Sequence, residues 1–328
     1  MHRRHLLSVS LAMLFAPVRS WSAGAPENLS CLVPAKVGGG FDLTCRLAGA
    51  MLAQGRQGRR ATDISYLPGG IGAVAFDRMA SGKIADPETL VAFSSGSLLN
   101  MAQGKFGPHT AADVRWVAAI ATDYGVIAVR EDSPISSLAM LDEALRKDMS
   151  RVIFGAGGTV GSQDWIKAAL LVKAAGRDFK SMRFVSFEGG GEALTALAGR
   201  HVTVFCGDMA EVVQSIDAGV AVRILAVLAP NRLPGRHASL PTAREQGVNL
   251  SWPTIRGLYM SRAATDAAWL RWVSAFNEAL ARPDIDGLRA RFGFYPFALT
   301  GKPLEDFVQE QIKAYGAMAR ELGLRIRY

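Results

Sequence analysis

Two stretches of the chain share one grammar: a strand-like run, a glycine cluster, an aspartate, then an amphipathic helix. They are LSCLVPAKVGGGFDLTCRLAGAMLAQ, residues 29–54, and RVIFGAGGTVGSQDWIKAALLVKAAG, residues 151–176. Each places backbone N–H groups and a helix start just beyond a strand, a geometry that attracts anionic oxygens without needing a charged side chain. Occurring twice, it restricts the chain to folds in which strands feed helices through glycine turns. It points to one small acid held between two lobes.

The rest of the chain keeps the same alternation. Strands are expected at 29–34, 62–66, 89–94, 115–121, 125–130, 151–155, 183–187, 202–206 and 223–228. Helices are expected at 42–54, 71–81, 136–147, 163–175, 191–199, 209–217, 240–246, 265–281 and 303–322. Leu43, Leu47 and Met51 recur every fourth residue, and Gly176 stands where a helix would end. This is an α/β chain with largely parallel strands.

No low-complexity linker divides it. The run WVAAIATDYGVIAVR, 116–130, is two apolar halves split by Asp123, Tyr124 and Gly125, and TIRGLYMSR, 254–262, offers a way back. The expected lobes are 26–124 plus 256–328 and 125–255; the alternative is one large doubly wound sheet.

The first 25 residues read as an export leader. His2, Arg3, Arg4 and His5 precede the apolar run LLSVSLAMLFAPV, too short to span a bilayer, and SWSAGA offers cleavage sites. The formal net charge of +8 loses Arg3, Arg4 and Arg19 with that leader. What remains is spread along the chain, which argues against nucleic acid as a partner. Export places the three cysteines in an oxidising compartment. Cys31 and Cys45 flank the first glycine loop and are either bridged or two buried thiols; Cys206 ends an apolar run and reads as a buried small residue.

Gly38, Gly39 and Gly40 let the main chain turn tightly and approach a ligand, and Asp42 is placed to cap the following helix. In the second loop Thr159 and Ser162 add hydroxyls to the N–H groups of Gly157, Gly158 and Gly161. Similar turns follow at 68–76, with Gly70, at 94–99, with Ser97, and at 187–197, with Glu188. In an open α/β sheet that strand edge is where ligands bind. Lys36 lies within the first loop, within reach of a ligand carboxylate.

Neither loop is a nucleotide fingerprint: Val160 stands where the third glycine of G-x-G-x-x-G belongs, and G-x-x-x-x-G-K-[ST] is absent. His109, His201 and His237 are isolated, no metal-ligand spacing occurs, and no G-x-S-x-G elbow is present. A non-enzymatic binder without a cofactor is the first reading. An exported serine-type hydrolase of a small anionic ester, using Ser97 or Ser162, is the second.

Five segments in this order carry a family resemblance: VPAKVGGGFDLTCRLAGAML, YLPGGIGAVAFDRMASG, FGAGGTVGSQDW, FEGGGEALTALAGRHVTVFCGDMAEV and RILAVLAPNRLPGRHASLPTAREQGV. The chain resembles the extracytoplasmic substrate-binding proteins of tripartite tricarboxylate transporters, the TctC or Bug family. The resemblance implies a monomeric, two-lobed periplasmic protein that closes on a small carboxylate and delivers it to the membrane subunits of the transporter. It places the ligand among Gly38, Gly39, Gly40, Phe41 and Asp42 of the first loop and Gly157 to Ser162 of the second, with Asp208 in the fourth quoted segment. Many members carry a proline-glycine run where this chain has Lys36 and Val37. The AKVGGGFDLTC form is similar to the citrate branch, with Lys36 meeting an extra carboxylate.

Overall fold

The computed structural model describes residues 28–54 and 62–324. The expected leader lies outside the described residues.

Alternating strands and helices build the first part of the chain: β1 (Leu29–Val33), α1 (Gly40–Ala53), β2 (Thr62–Tyr66), α2 (Ala73–Ala80), β3 (Thr89–Ser94) and α3 (Ser95–Ala102). A long strand, β4 (Val114–Arg130), then leads to α4 (Leu138–Asp148), β5 (Ile153–Gly157), α5 (Gln163–Ala174), β6 (Arg183–Phe187), α6 (Gly190–Ala198), β7 (Val204–Asp208), α7 (Met209–Asp217) and β8 (Val222–Leu228). The chain finishes with β9 (Pro253–Ser261), α8 (Asp266–Leu280), α9 (Ile285–Arg291), the short β10 (Leu299–Thr300) and α10 (Gly301–Glu321).

The strands order as β2-β1-β3-β9-β4-β7-β5-β6, with β8 and β10 also on β4. The outer strands run parallel, β2-β1-β3 on one side and β7-β5-β6 on the other. The pairings of β9 and β4 between them are antiparallel. β4 belongs to both halves. It pairs with β9 from Val114 to Tyr124, then with β7 and β8 from Gly125. The fold is thus a two-lobed, periplasmic-binding-protein-like α/β structure.

The two strands expected at 115–121 and 125–130 are therefore one. Asp123 does not break it, because its Oδ1 accepts the N–H groups of Tyr124 and Ala210. One face of the curled sheet carries a core common to both halves, including Phe93, Trp116, Ile127, Phe154 and Trp165. The other face is divided, with Leu47, Trp272 and Phe276 under α1 and α8, and Leu197, Phe205 and Val212 under α6 and α7.

Three local expectations need correction. No α-helix forms at 240–246, where only the 3₁₀ turn Arg244–Gln246 occurs. Thr242 and Glu245 cap each other there, and Gly247 at φ 82° ends the turn at once. The glycine and serines of 94–99 start a true helix, α3, because Ser94 and Ser97 form a reciprocal capping box. The segment 254–262 is itself a central strand, β9.

Candidate functional site

The C-terminal ends of β1, β3, β5, β6 and β7 converge where the two halves of the sheet join. The turns that follow them line a cleft of about 480 Å³, its open mouth included. Ala35, Gly39, Gly40 and Phe41 come from the first glycine loop, and Gly157, Ser162, Gln163 and Asp164 from the second. Ser94, Gly96 and Asn100 enter after β3, Glu188 to Gly190 after β6, and Glu211 after β7.

Close approach is possible only because the lining is glycine-rich. A methyl on Gly40 would lie 2.2 Å from Arg256 Nη1, and one on Gly190 would lie 1.7 Å from Glu211 Oε2. The helices that begin at these two glycines, α1 and α6, have glycine N-caps with no side-chain cap bond.

Beneath the cleft lies a buried ionic network. Arg256 Nη2 donates to Asp123 Oδ2 and Asp208 Oδ2, each at 2.7 Å. Lys167 Nζ donates to Asp208 Oδ1 at 2.5 Å and Asp164 Oδ1 at 2.8 Å. Gln163 Nε2 and Thr254 Oγ1 complete the shell around Asp208. Burial alone would raise Asp208, but Lys167 and Arg256 outweigh it and hold it below the usual carboxylate range. Asp123 is pushed up to about 6, by burial first, with the adjacent Asp208 adding to it against Arg256. Asp164 is raised for the same reason, burial. Glu211 is pushed up to about 8, through burial and then the charge of Asp208.

Several of the loop N–H groups are already taken by carboxylates of the chain. Gly38 N donates to Asp42 Oδ2, Gly40 N to Glu211 Oε1, and Gly157 N to Asp164 Oδ2. Four lining residues nonetheless hold buried atoms with no hydrogen-bond partner among the described residues: Asn100 Oδ1, Gln163 Oε1, Glu188 Oε2 and Arg256 Nε. A concentration of unsatisfied polar atoms in one cleft is costly unless something else completes them.

Of the residues singled out from sequence, Gly39, Gly40, Phe41, Gly157, Ser162 and Glu188 line this cleft. Gly70 and Thr159 line an adjoining groove with Lys105 and Val160. The expected capping role of Asp42 is not found: Gly39 is the N-cap, and Asp42 braces the loop through Gly38 N, Arg46 Nε and Tyr66 Oη. Gly38, Gly158 and Gly161 are not among the lining residues and shape the turns through positive φ, and Asp208 sits in the network below. Lys36 is half-exposed and reaches across the mouth to Glu192 Oε1 at 2.6 Å. Cys31 and Cys45 are joined in a disulfide that ties β1 to α1 across the first loop. Cys206 is a buried free thiol that burial pushes well above its ordinary range.

Neither candidate nucleophile is activated. Ser97 Oγ accepts Ser94 N in the capping box, while Ser162 Oγ donates to the carbonyl of Gly157 and caps α5. His109 and His237 are bonded instead to Asp77 and Tyr295. Among the described residues no cluster of His, Cys, Asp or Glu is placed to hold a metal ion.

Residues 68–324 match the family described as "Tripartite tricarboxylate transporter family receptor", TctC. The chain belongs to this family. TctC proteins are non-enzymatic periplasmic solute binders that take small carboxylates and serve tripartite transporters. The matched stretch begins after the first glycine loop, which lines the same cleft as the second. No curated protein sequence matches the chain.

Solved structures similar to this TctC chain share its fold. The periplasmic binding protein BugD has a TM-score of 0.80 at 19% identity, over 92% of this chain and 99% of its own. MatC from Rhodopseudomonas palustris, solved with bound malate, gives 0.73 at 24%, over 88% and 98%. Rpa4515 of R. palustris, solved with adipate, gives 0.80 at 21%, over 91% and 98%. No helix among the described residues is long and apolar enough to cross a membrane.

Residues that the sequence alone does not single out line the cleft, namely Arg256, Glu211, Gln163, Asn100 and Asp164, or lie in the network beneath it, as Lys167 does. Arg256 and Lys167 left a trace, each being a lone charge inside an apolar run, TIRGLYM and WIKAALLV.

Proposed function

We propose that this protein is the receptor of a tripartite tricarboxylate transporter, capturing a small carboxylate in the cleft and handing it to the membrane subunits. The observation that carries this reading is the set of buried, partnerless polar atoms on Asn100, Gln163, Glu188 and Arg256, gathered where five strand ends meet. Closing on a ligand that completes them would exclude water and strengthen each bond.

The moving bodies in this reading are 26–124 plus 256–328 and 125–255, hinged where β4 passes from β9 to β7 and β8. Lys36 then exchanges Glu192 for a ligand carboxylate during capture. The leader is removed on export, and the receptor works as a monomer. Citrate is the first acid to test, because of the AKVGGGFDLTC wording of the first loop. Malate and adipate follow, since MatC and Rpa4515 were solved with them.

A thermal-shift panel of citrate, isocitrate, tricarballylate, succinate, malate, adipate and glutamate tests the reading. A ligand at about a hundredfold above its Kd should add roughly 2.7 kcal/mol of stability. A melting temperature that no organic acid moves would overturn it.

A further inference from the structure

Glu211 occupies an unusual place for an acidic side chain in a site built for acids. It lies in the first turn of α7 and is only 6% exposed. Its Oε1 accepts Gly40 N, at the start of α1, at 2.7 Å. Its Oε2 lies against Gly190, at the start of α6, close enough that a single methyl would collide with it. The carboxyl therefore sits between two helix starts from opposite halves of the sheet, on the wall of the cleft.

The cation whose charge reaches it is Arg256, and no ion pair joins the two among the described residues. Asp123, Asp164, Asp208 and Glu211 are four buried carboxyls, against the two buried cations Lys167 and Arg256. Lys167 is spent on Asp164 and Asp208, and Arg256 on Asp123 and Asp208. On α1, Asp42 and Arg46 hold each other, and on α6 Glu192 is held by Lys36 and by Glu188 N. On β8, Arg223 donates to the carbonyls of Glu131 and Ser133. A ligand carboxylate brought against this surplus would meet repulsion unless one of the carboxyls is neutral.

We propose that Glu211 is a specificity-determining contact of the cleft: as the neutral acid it holds Gly40 N–H with one oxygen and donates the proton of the other to a carboxylate of the ligand. The inference rests on the carboxylate-receptor reading. The proton comes from solvent, so above the titration of Glu211 capture takes up one proton per ligand. Glu211 titrates at about 8, so the acid form predominates at pH 7 and is lost above pH 8.

Titration calorimetry of the whole protein with citrate, malate and adipate between pH 7 and 9, a range in which malate and adipate are fully ionised and citrate nearly so, tests it. The expected Kd is about tenfold weaker at pH 9 than at pH 7, and paired buffers of different ionisation enthalpy should register proton uptake at the higher pH. Glu211→Gln keeps an N–H donor at that place but cannot titrate; the pH 9 to pH 7 ratio of Kd should fall to about 1, whatever its absolute affinity. The wild-type profile decides even if the variant does not fold. A Kd unchanged between pH 7 and 9, or a slope that survives in Glu211→Gln, overturns the proposal and leaves the receptor reading standing. So does preferred binding of glutamate that Glu211→Gln abolishes, since Glu211 would then be a counter-ion for an ammonium group. If none of these ligands binds at any pH, the receptor reading itself falls, and the proposal with it.

Discussion

Arg256 on β9 and Asp208 at the end of β7 meet at 2.7 Å, although they belong to opposite halves of the sheet and no residue of their own strands pairs directly. Arg256 also holds Asp123 on the strand between them, so one guanidinium bridges two buried carboxyl groups at the junction. Arg256→Met should destabilise the protein by about 3–5 kcal/mol, because the loss leaves buried charge uncompensated. Arg256→Lys should recover only part of this, since an ammonium lacks the planar fork. Urea unfolding of the three proteins checks both statements; equal midpoints would show that the network carries no net stability.

Glu211 and Asp123 make stability depend on pH in a direction opposite to that of an ordinary ion-paired carboxylate. Both titrate higher in the folded protein, at about 8 and about 6, than their usual 4.5 and 3.8. The folded state thus binds their protons more tightly than the unfolded chain. Their contribution is full below pH 4, is withdrawn as pH rises, and is gone above pH 8. The melting temperature should fall between pH 5 and 8 more steeply in wild type than in Glu211→Gln. Parallel profiles would contradict this.

The Cys31–Cys45 bridge closes a loop across a sequence separation of 14 residues. For a loop of that length the stabilisation is about 3 kcal/mol. Because the loop contains Gly38 to Gly40, the double variant Cys31→Ser/Cys45→Ser should lose stability and also bind its acid more weakly. Denaturant unfolding and ligand titration of the variant measure the two effects separately.

Gly39 and Gly190 are neighbours across the cleft with different tolerances. A methyl on Gly39 would make only ordinary contact, its nearest atom being Glu211 Oε1 at 3.8 Å, whereas one on Gly190 must displace the Glu211 carboxyl. Gly190→Ala should weaken ligand binding at least tenfold, the equivalent of about 1.4 kcal/mol. Gly39→Ala should change it far less. Similar losses in both would mean that Glu211 moves aside at little cost.

Local signals carried most of the architecture. β2, β3, β6 and α7 have the bounds expected from spacing and turn residues, because apolar periodicity and glycine stops act within a few residues. α3 was hidden because Ser95, Gly96 and Ser97 are poor helix formers whose cap compensates for them. The ionic network was hidden for another reason. Asp164 and Lys167 are three apart on α5, but Asp208 is 41 residues beyond Lys167 and Arg256 a further 48. Only the strand order brings them together, and no local pattern encodes that order. Lys36 is expected at the ligand because it sits in a glycine loop; its bond to Glu192, 156 residues away, has no sign in the sequence beside it.

A strand shared by two lobes has a genetic consequence. β4 supplies residues 114–124 to one sheet and 125–130 to the other without a break. Cutting the gene between these segments would give two pieces, each with an unfinished sheet and an exposed hydrogen-bonding edge. A one-residue deletion inside β4 would turn the side chains beyond it to the wrong face. The two halves of the sheet are thus inherited as one.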